Sequence, residues 1–142
     1  MKFFLLSVLM GWMTLSGFPE TVLQSGGQNT INGNWHMVFF HSPEFDPGVL
    51  FPEKQPYMRL DSSTLRASGS TGCNRFSGQF VAVNQQFRFA MDKMILTRMA
   101  CKGPGEGIFL ETIGRVNRYR LTNDTLVFLQ NDTVLIRWKK KN

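Results

Sequence analysis

Two copies of Asn-Asp-Thr, beginning at Asn123 and Asn131, constrain the fold more than any other feature of this chain. Each sits between runs of apolar residues: Tyr119-Arg120-Leu121, then Leu126 to Leu129, then Val134 to Trp138. Asn and Asp tolerate the left-handed backbone that a tight hairpin requires, and the flanking runs alternate or are continuously apolar in the manner of strands. Turns eight residues apart therefore predict an antiparallel meander over the C-terminal third. The triplets also match the N-glycosylation pattern, but turn chemistry accounts for them fully.

Upstream, strands are expected at Trp35 to Phe40, Tyr57–Asp61, Thr64–Ser68, Phe76 to Val83 and Phe87–Phe89, with hairpin turns at Ser62-Ser63 and Asn84-Gln85. Prolines 43, 47, 52 and 56 exclude a central strand between Ser42 and Pro56, which reads as a long structured loop. Gly103-Pro104-Gly105 breaks the chain before a predicted helix from Glu106 to Arg118. There Ile108, Phe109, Ile113 and Val116 keep a spacing near 3.6, with acids early and arginines late, as the helix dipole favours. Five strands, one helix and three strands define an α+β class. A curled antiparallel sheet of about eight strands must cover the apolar face of that single α-helix.

The N-terminus stands apart from the fold. Met1-Lys2 precedes an apolar run from Phe3 to Leu15, and Thr14-Leu15-Ser16 offers small residues for cleavage after Ser16 or Gly17. That is the pattern of a secretory signal peptide over residues 1–17, too short to span a bilayer. Residues 18–31, with Ser25-Gly26-Gly27, read as a flexible linker, and residues 32–142 as the domain. No cysteine follows the apolar run, so export to the periplasm or the medium without a lipid anchor is expected. Cleavage would leave 15 basic and 10 acidic residues, a net of +5 after loss of Lys2 from the +6 of the full chain. In an exported protein this excess suits weak contact with an anionic membrane surface or polysaccharide better than nucleic acid.

The remaining signal lies in Gly72-Cys73-Asn74-Arg75-Phe76-Ser77-Gly78-Gln79-Phe80 and in Thr97-Arg98-Met99-Ala100-Cys101. These two segments resemble the META/HslJ family of small bacterial envelope domains. The likeness extends over roughly Asn34 to Trp138, through the helix opening at Ile108-Phe109-Leu110 and the last hairpin with Leu126 and Trp138. It implies a partial barrel wrapped on one helix, residence in the cell envelope, and the family's links with heat shock, antibiotic tolerance and secretion-channel pilots. It implies no reaction, since the family has no established chemistry.

Cys73 and Cys101 are the only cysteines, and in oxidising surroundings an even count invites a disulfide. Closing that 28-residue span would contribute roughly 3.5 kcal/mol in the loop-entropy model. Two buried thiols, or a reactive Cys73 with His36 or His41 as base, remain open alternatives. Gly72 and Asn74 read as turn residues able to take positive φ, while Asn74 and Arg75 are the candidate surface contact. His36 and His41 lack companions for a metal site, and no nucleophile elbow, phosphate loop or paired carboxylates occur. The expectation is a non-enzymatic monomer without cofactor or metal that binds another envelope component. The alternative is a small carrier of a lipid or other hydrophobic ligand, with Phe39, Phe76, Phe80, Phe87, Phe89 and Met94 lining a cavity. Otherwise these side chains, with Phe109 and Ile113, are simply core.

Overall fold

Residues 30–142 are described by the computed structural model; the expected signal peptide and most of the expected linker lie outside them. Alternation of buried and exposed side chains produces nine strands. They are β1 Gly33–Phe40, β2 Tyr57–Asp61, β3 Arg66–Ser70, β4 Arg75–Val83, β5 Gln86–Phe89, β6 Ile95–Leu96, β7 Arg118–Thr122, β8 Thr125–Gln130 and β9 Thr133–Lys141. Two helices join them, α1 Pro47–Leu50 in the proline-rich loop and α2 Gly105–Arg115, with a 3₁₀ turn at Met91–Lys93.

Every pairing is antiparallel, and the order β3-β2-β1-β9-β8-β7-β5-β4 is closed into a ring by pairing of β3 with β4. The eight expected strands thus form a complete barrel, and β6 is an extra strand laid on β4 beside Phe76 and Ser77. The turn chemistry is as anticipated. Asn123 and Asn131 adopt φ of 50° and 53°, and Asn84-Gln85 takes 49° and 69°. These are the left-handed angles that a two-residue hairpin loop needs.

Three departures from expectation alter how the elements join or face. Strand β3 starts at Arg66, not Thr64, because Leu65 still belongs to the turn with φ of 54°. Helix α2 stops at Arg115 because Val116 is extended (φ −62°, ψ 124°) and Arg118 already opens β7. The third is a bulge in β1: Met37 pairs with Trp138 but Phe39 with Arg137, leaving Val38 extra. One added residue flips the faces beyond it. Phe40 therefore takes the inward position, and Phe39 turns outward beneath the Arg137 guanidinium, 4.9 Å from its ring centroid. Phe39 is no part of the core, contrary to its placement from simple alternation.

The interior is aromatic and continuous. Phe87 stacks on Phe80 at 5.2 Å and meets Phe89 at 4.8 Å and Phe128 at 4.6 Å between centroids. Helix α2 buries Phe109, Thr112 and Ile113 against this interior. The Phe109 ring lies among those of Phe40, Phe51, Phe76 and Trp138. Packing reaches back to Ile31, which is buried and accepts a hydrogen bond from Trp35 Nε1 at 2.9 Å. That residue stands at the end of the stretch read as linker.

Candidate functional site

The motif segments of the sequence meet at one place, the junction of the β3–β4 turn, the chain from Thr97 to Cys101 and the start of α2. Gly72 takes φ of 95°, and a Cβ there would press on the Phe51 ring and the Lys54 carbonyl, so this tight turn needs glycine. Cys73 and Cys101 form a disulfide with Cα atoms 5.8 Å apart. That removes the alternatives of free thiols and of a nucleophilic Cys73 served by His36 or His41.

Asn74 is not a surface contact. It is 2% exposed, and its side chain ties the junction together. Its amide nitrogen donates to Met99 O at 3.2 Å and Glu106 Oε1 at 3.0 Å, and lies 3.2 Å from Cys101 Sγ. Its amide oxygen accepts from Met99 N at 2.7 Å and Thr97 Oγ1 at 2.8 Å. Glu106, in the first turn of α2, receives the Thr71 hydroxyl at 2.6 Å and the Asn74 backbone N–H at 3.2 Å on its other oxygen. Isolated from context, an asparagine beside an arginine reads as surface. Only the partners, 25 and 32 residues downstream, show it to be internal scaffolding. The pairing of GCN with TRMAC was the available signal.

The Cys73 and Cys101 sulfurs and a Glu106 oxygen fall within 4.8 Å of one another. Bonded sulfurs are not thiolate ligands, and the carboxylate already accepts three hydrogen bonds, so the arrangement acts as a strap.

Arg75 is exposed, as expected, and lies on an open groove of about 550 Å³ outside the barrel. Register builds it. Asn34, Arg59, Ser68, Ser77 and Ile95 are successive cross-strand partners from β1 to β6. Tyr57 and Thr97 extend the lining, with the Thr97 hydroxyl accepting the Arg75 backbone N–H at 3.0 Å. Among the described residues no carboxylate forms an ion pair with Arg59 or Arg75.

Within the barrel, Phe76, Phe80, Phe87, Phe89, Phe109 and Ile113 are all buried, and Met94 packs partly buried against them. Apart from Phe39, which lies outside, the side chains proposed as a cavity lining belong to one packed cluster. Trp138 Nε1 is the one buried side-chain polar atom without a partner among the described residues. A lone donor in an aromatic interior cannot by itself orient a ligand.

The geometry defines a small, helix-plugged antiparallel barrel strapped by one disulfide. A family model described as META domain matches residues 28–142, and the chain belongs to that family. No curated protein matches. Among solved structures, a protein from Burkholderia xenovorans has a TM-score of 0.58 at 19% identity, over 78% of this chain and 83% of that one. A second structure determined by NMR gives 0.54 at 22% identity, covering 77% of this chain and 89% of the other. A DUF4847 family protein from Bacteroides vulgatus gives 0.55 at 12% identity, over 78% and 95%. At such identities the likeness is one of fold.

Proposed function

We propose that this META-domain protein is an exported, non-enzymatic envelope module that works as a monomer by binding another envelope component through the groove outside β1 to β4 and β6. One observation carries the reading. The interior is packed with its own aromatic rings, whereas the groove presents Arg59 and Arg75 without carboxylate partners among the described residues. A binding role therefore belongs on the outer face, and a carried ligand would have to displace this packed cluster.

Export agrees with the disulfide, which persists in oxidising compartments. No helix among the described residues is long and apolar enough to cross a membrane. The strands point apolar side chains inward and arginines outward, the reverse of a barrel facing lipid. No catalytic role is assigned, because Glu106, the carboxylate at the conjunction of the motifs, is engaged by the donors of Thr71 and Asn74. The stress or antibiotic-tolerance role follows from family likeness alone.

A photo-crosslinking amino acid placed at Ile95, 71% exposed in the groove, tests the reading in intact cells. An envelope adduct is expected there and none from Val38, which is 56% exposed elsewhere on the barrel. Equal yields at both positions, or none at either, would discard this face.

A further inference from the structure

We infer that the groove is a binding site for an acidic glycan, an extended oligosaccharide bearing carboxylate or phosphate groups. The inference rests on the envelope-binding reading and gives that reading its ligand class.

The first argument is charge. Arg59 and Arg75 line the groove from β2 and β4, and Arg66 Nη2 reaches in to Ser77 Oγ at 3.2 Å. Lys54 Nζ lies 4.9 Å from the Tyr57 ring centroid, and Lys141 is the strand partner of Asn34. Among the described residues no acidic side chain belongs to the lining. Asp61, paired in register with Arg66, is turned into its own hairpin. There the Ser63 hydroxyl donates to it at 2.6 Å and holds its carboxyl below the ordinary range. Its charge is satisfied locally. Guanidinium groups recognise planar carboxylates and phosphates through paired N–H donors, so the unpartnered arginines select an anion.

Shape narrows the choice among anions. Five paired strands with about 4.8 Å between neighbours give a furrow of roughly 19 Å across the sheet. A bilayer surface is flat and cannot enter a concave furrow, whereas a linear chain can lie along it. Chemistry then separates glycan from peptide. Peptides that add to a sheet need a free main-chain edge. Here β1, β2, β3, β4 and β6 are paired in sequence, and the free edge they leave at the groove is that of β6, only two residues long and too short to seat an added strand. Its middle carries the short hydroxyls of Ser68 and Ser77 in direct register, with Asn34 and Thr97 at its two sides. The Tyr57 ring, 36% exposed, offers an apolar plate to a sugar face. Small hydroxyl and amide groups between an aromatic ring and the apolar margin of Ile95 and Leu96 fit a sugar chain, with its alternating polar edges and apolar faces.

The experiment is calorimetric titration of the disulfide-intact protein with tetragalacturonate at low salt, with maltotetraose, tetraglutamate and phosphatidylglycerol vesicles as competitors in chemistry. Tetragalacturonate is expected to bind at least ten-fold tighter than the other three and to weaken as salt rises. Arg59→Ala and Arg75→Ala are each expected to weaken binding about ten-fold with the thermal midpoint unchanged, both side chains being exposed. Arg88→Ala, in a separate groove beside Val81 and Asn117, is expected to change it less than two-fold. Equal or tighter binding of tetraglutamate or vesicles, or an equal loss in Arg88→Ala, would overturn the assignment. An Ile95 adduct of discrete protein mass with no tetragalacturonate binding overturns the glycan and leaves the envelope-binding reading standing.

Discussion

Asn74 shows how one residue can carry a junction. Its amide, itself 2% exposed, satisfies the backbone of Met99 on both sides, the Thr97 hydroxyl and the Glu106 carboxylate, and so pins a surface segment to a buried anchor. Asn74→Ala would remove four hydrogen bonds, to Met99 N, Met99 O, Thr97 Oγ1 and Glu106 Oε1, and strip the carboxylate of one of its donors. A hydrogen bond contributes about 0.5–1.5 kcal/mol net, so losing four of them is expected to cost roughly 2–4 kcal/mol in urea unfolding. Asn74→Asp keeps the shape but sets a second carboxylate 3.0 Å from Glu106, where the amide nitrogen now sits. It is expected to be at least as damaging at pH 7. It should recover part of the loss as pH falls and one of the two acids takes up a proton. A change under about 0.5 kcal/mol for either variant would deny Asn74 this role.

At the scale of elements, α2 contrasts two glycines. Ala normally outranks Gly in a helix by about 1 kcal/mol. At Gly107 nothing lies within 4 Å of the place a methyl group would take, so Gly107→Ala is expected to raise the thermal midpoint by a few degrees. At Gly105 a Cβ would collide with the Leu50 carbonyl oxygen at the end of α1. Gly105→Ala is therefore expected to destabilise by about 1–3 kcal/mol, because two backbones must separate. Stabilisation by Gly105→Ala would mean that α1 and α2 are not in contact in solution.

The elements themselves were largely readable from local chemistry. Asn123, Asn131 and the Asn84-Gln85 pair announced hairpins because the left-handed backbone is a property of the residue. What escaped was non-local. The bulge at Val38 depends on how β9 meets β1, and no alternation within β1 reveals it. Strand β6 is two residues long and exists only because β4 offers Phe76 and Ser77 as partners. The groove was visible only as Arg75, since Arg59 and Tyr57 join it through register across three strands.

For the whole molecule, the barrel is unequal around its circumference. Strands β1 and β9 pair from Asn34 to Phe40, and β8 with β9 from Thr125 to Gln130. The ring passes from β5 to β7 through the single ladder pair Gln86 and Arg118. Only two backbone bonds flank that pair, Phe87 N to Asn117 O at 3.1 Å and Tyr119 N to Gln85 O at 2.8 Å. The covalent strap lies at the far end of β4, between Cys73 and Cys101, and does not span this seam. Local opening follows the weakest set of bonds, and Phe87, buried beside Tyr119 and Phe128, opposes it by packing alone. Native-state hydrogen exchange is therefore expected to show the Phe87 and Tyr119 amides exchanging through a local opening well below the global unfolding free energy. Amides of Trp35 and Leu126 should exchange only on global unfolding. Reduction of the disulfide is expected to lower the second class and leave the gap at the seam in place. Uniform protection around the ring would show that aromatic packing, and not the bonding pattern, sets where this barrel opens.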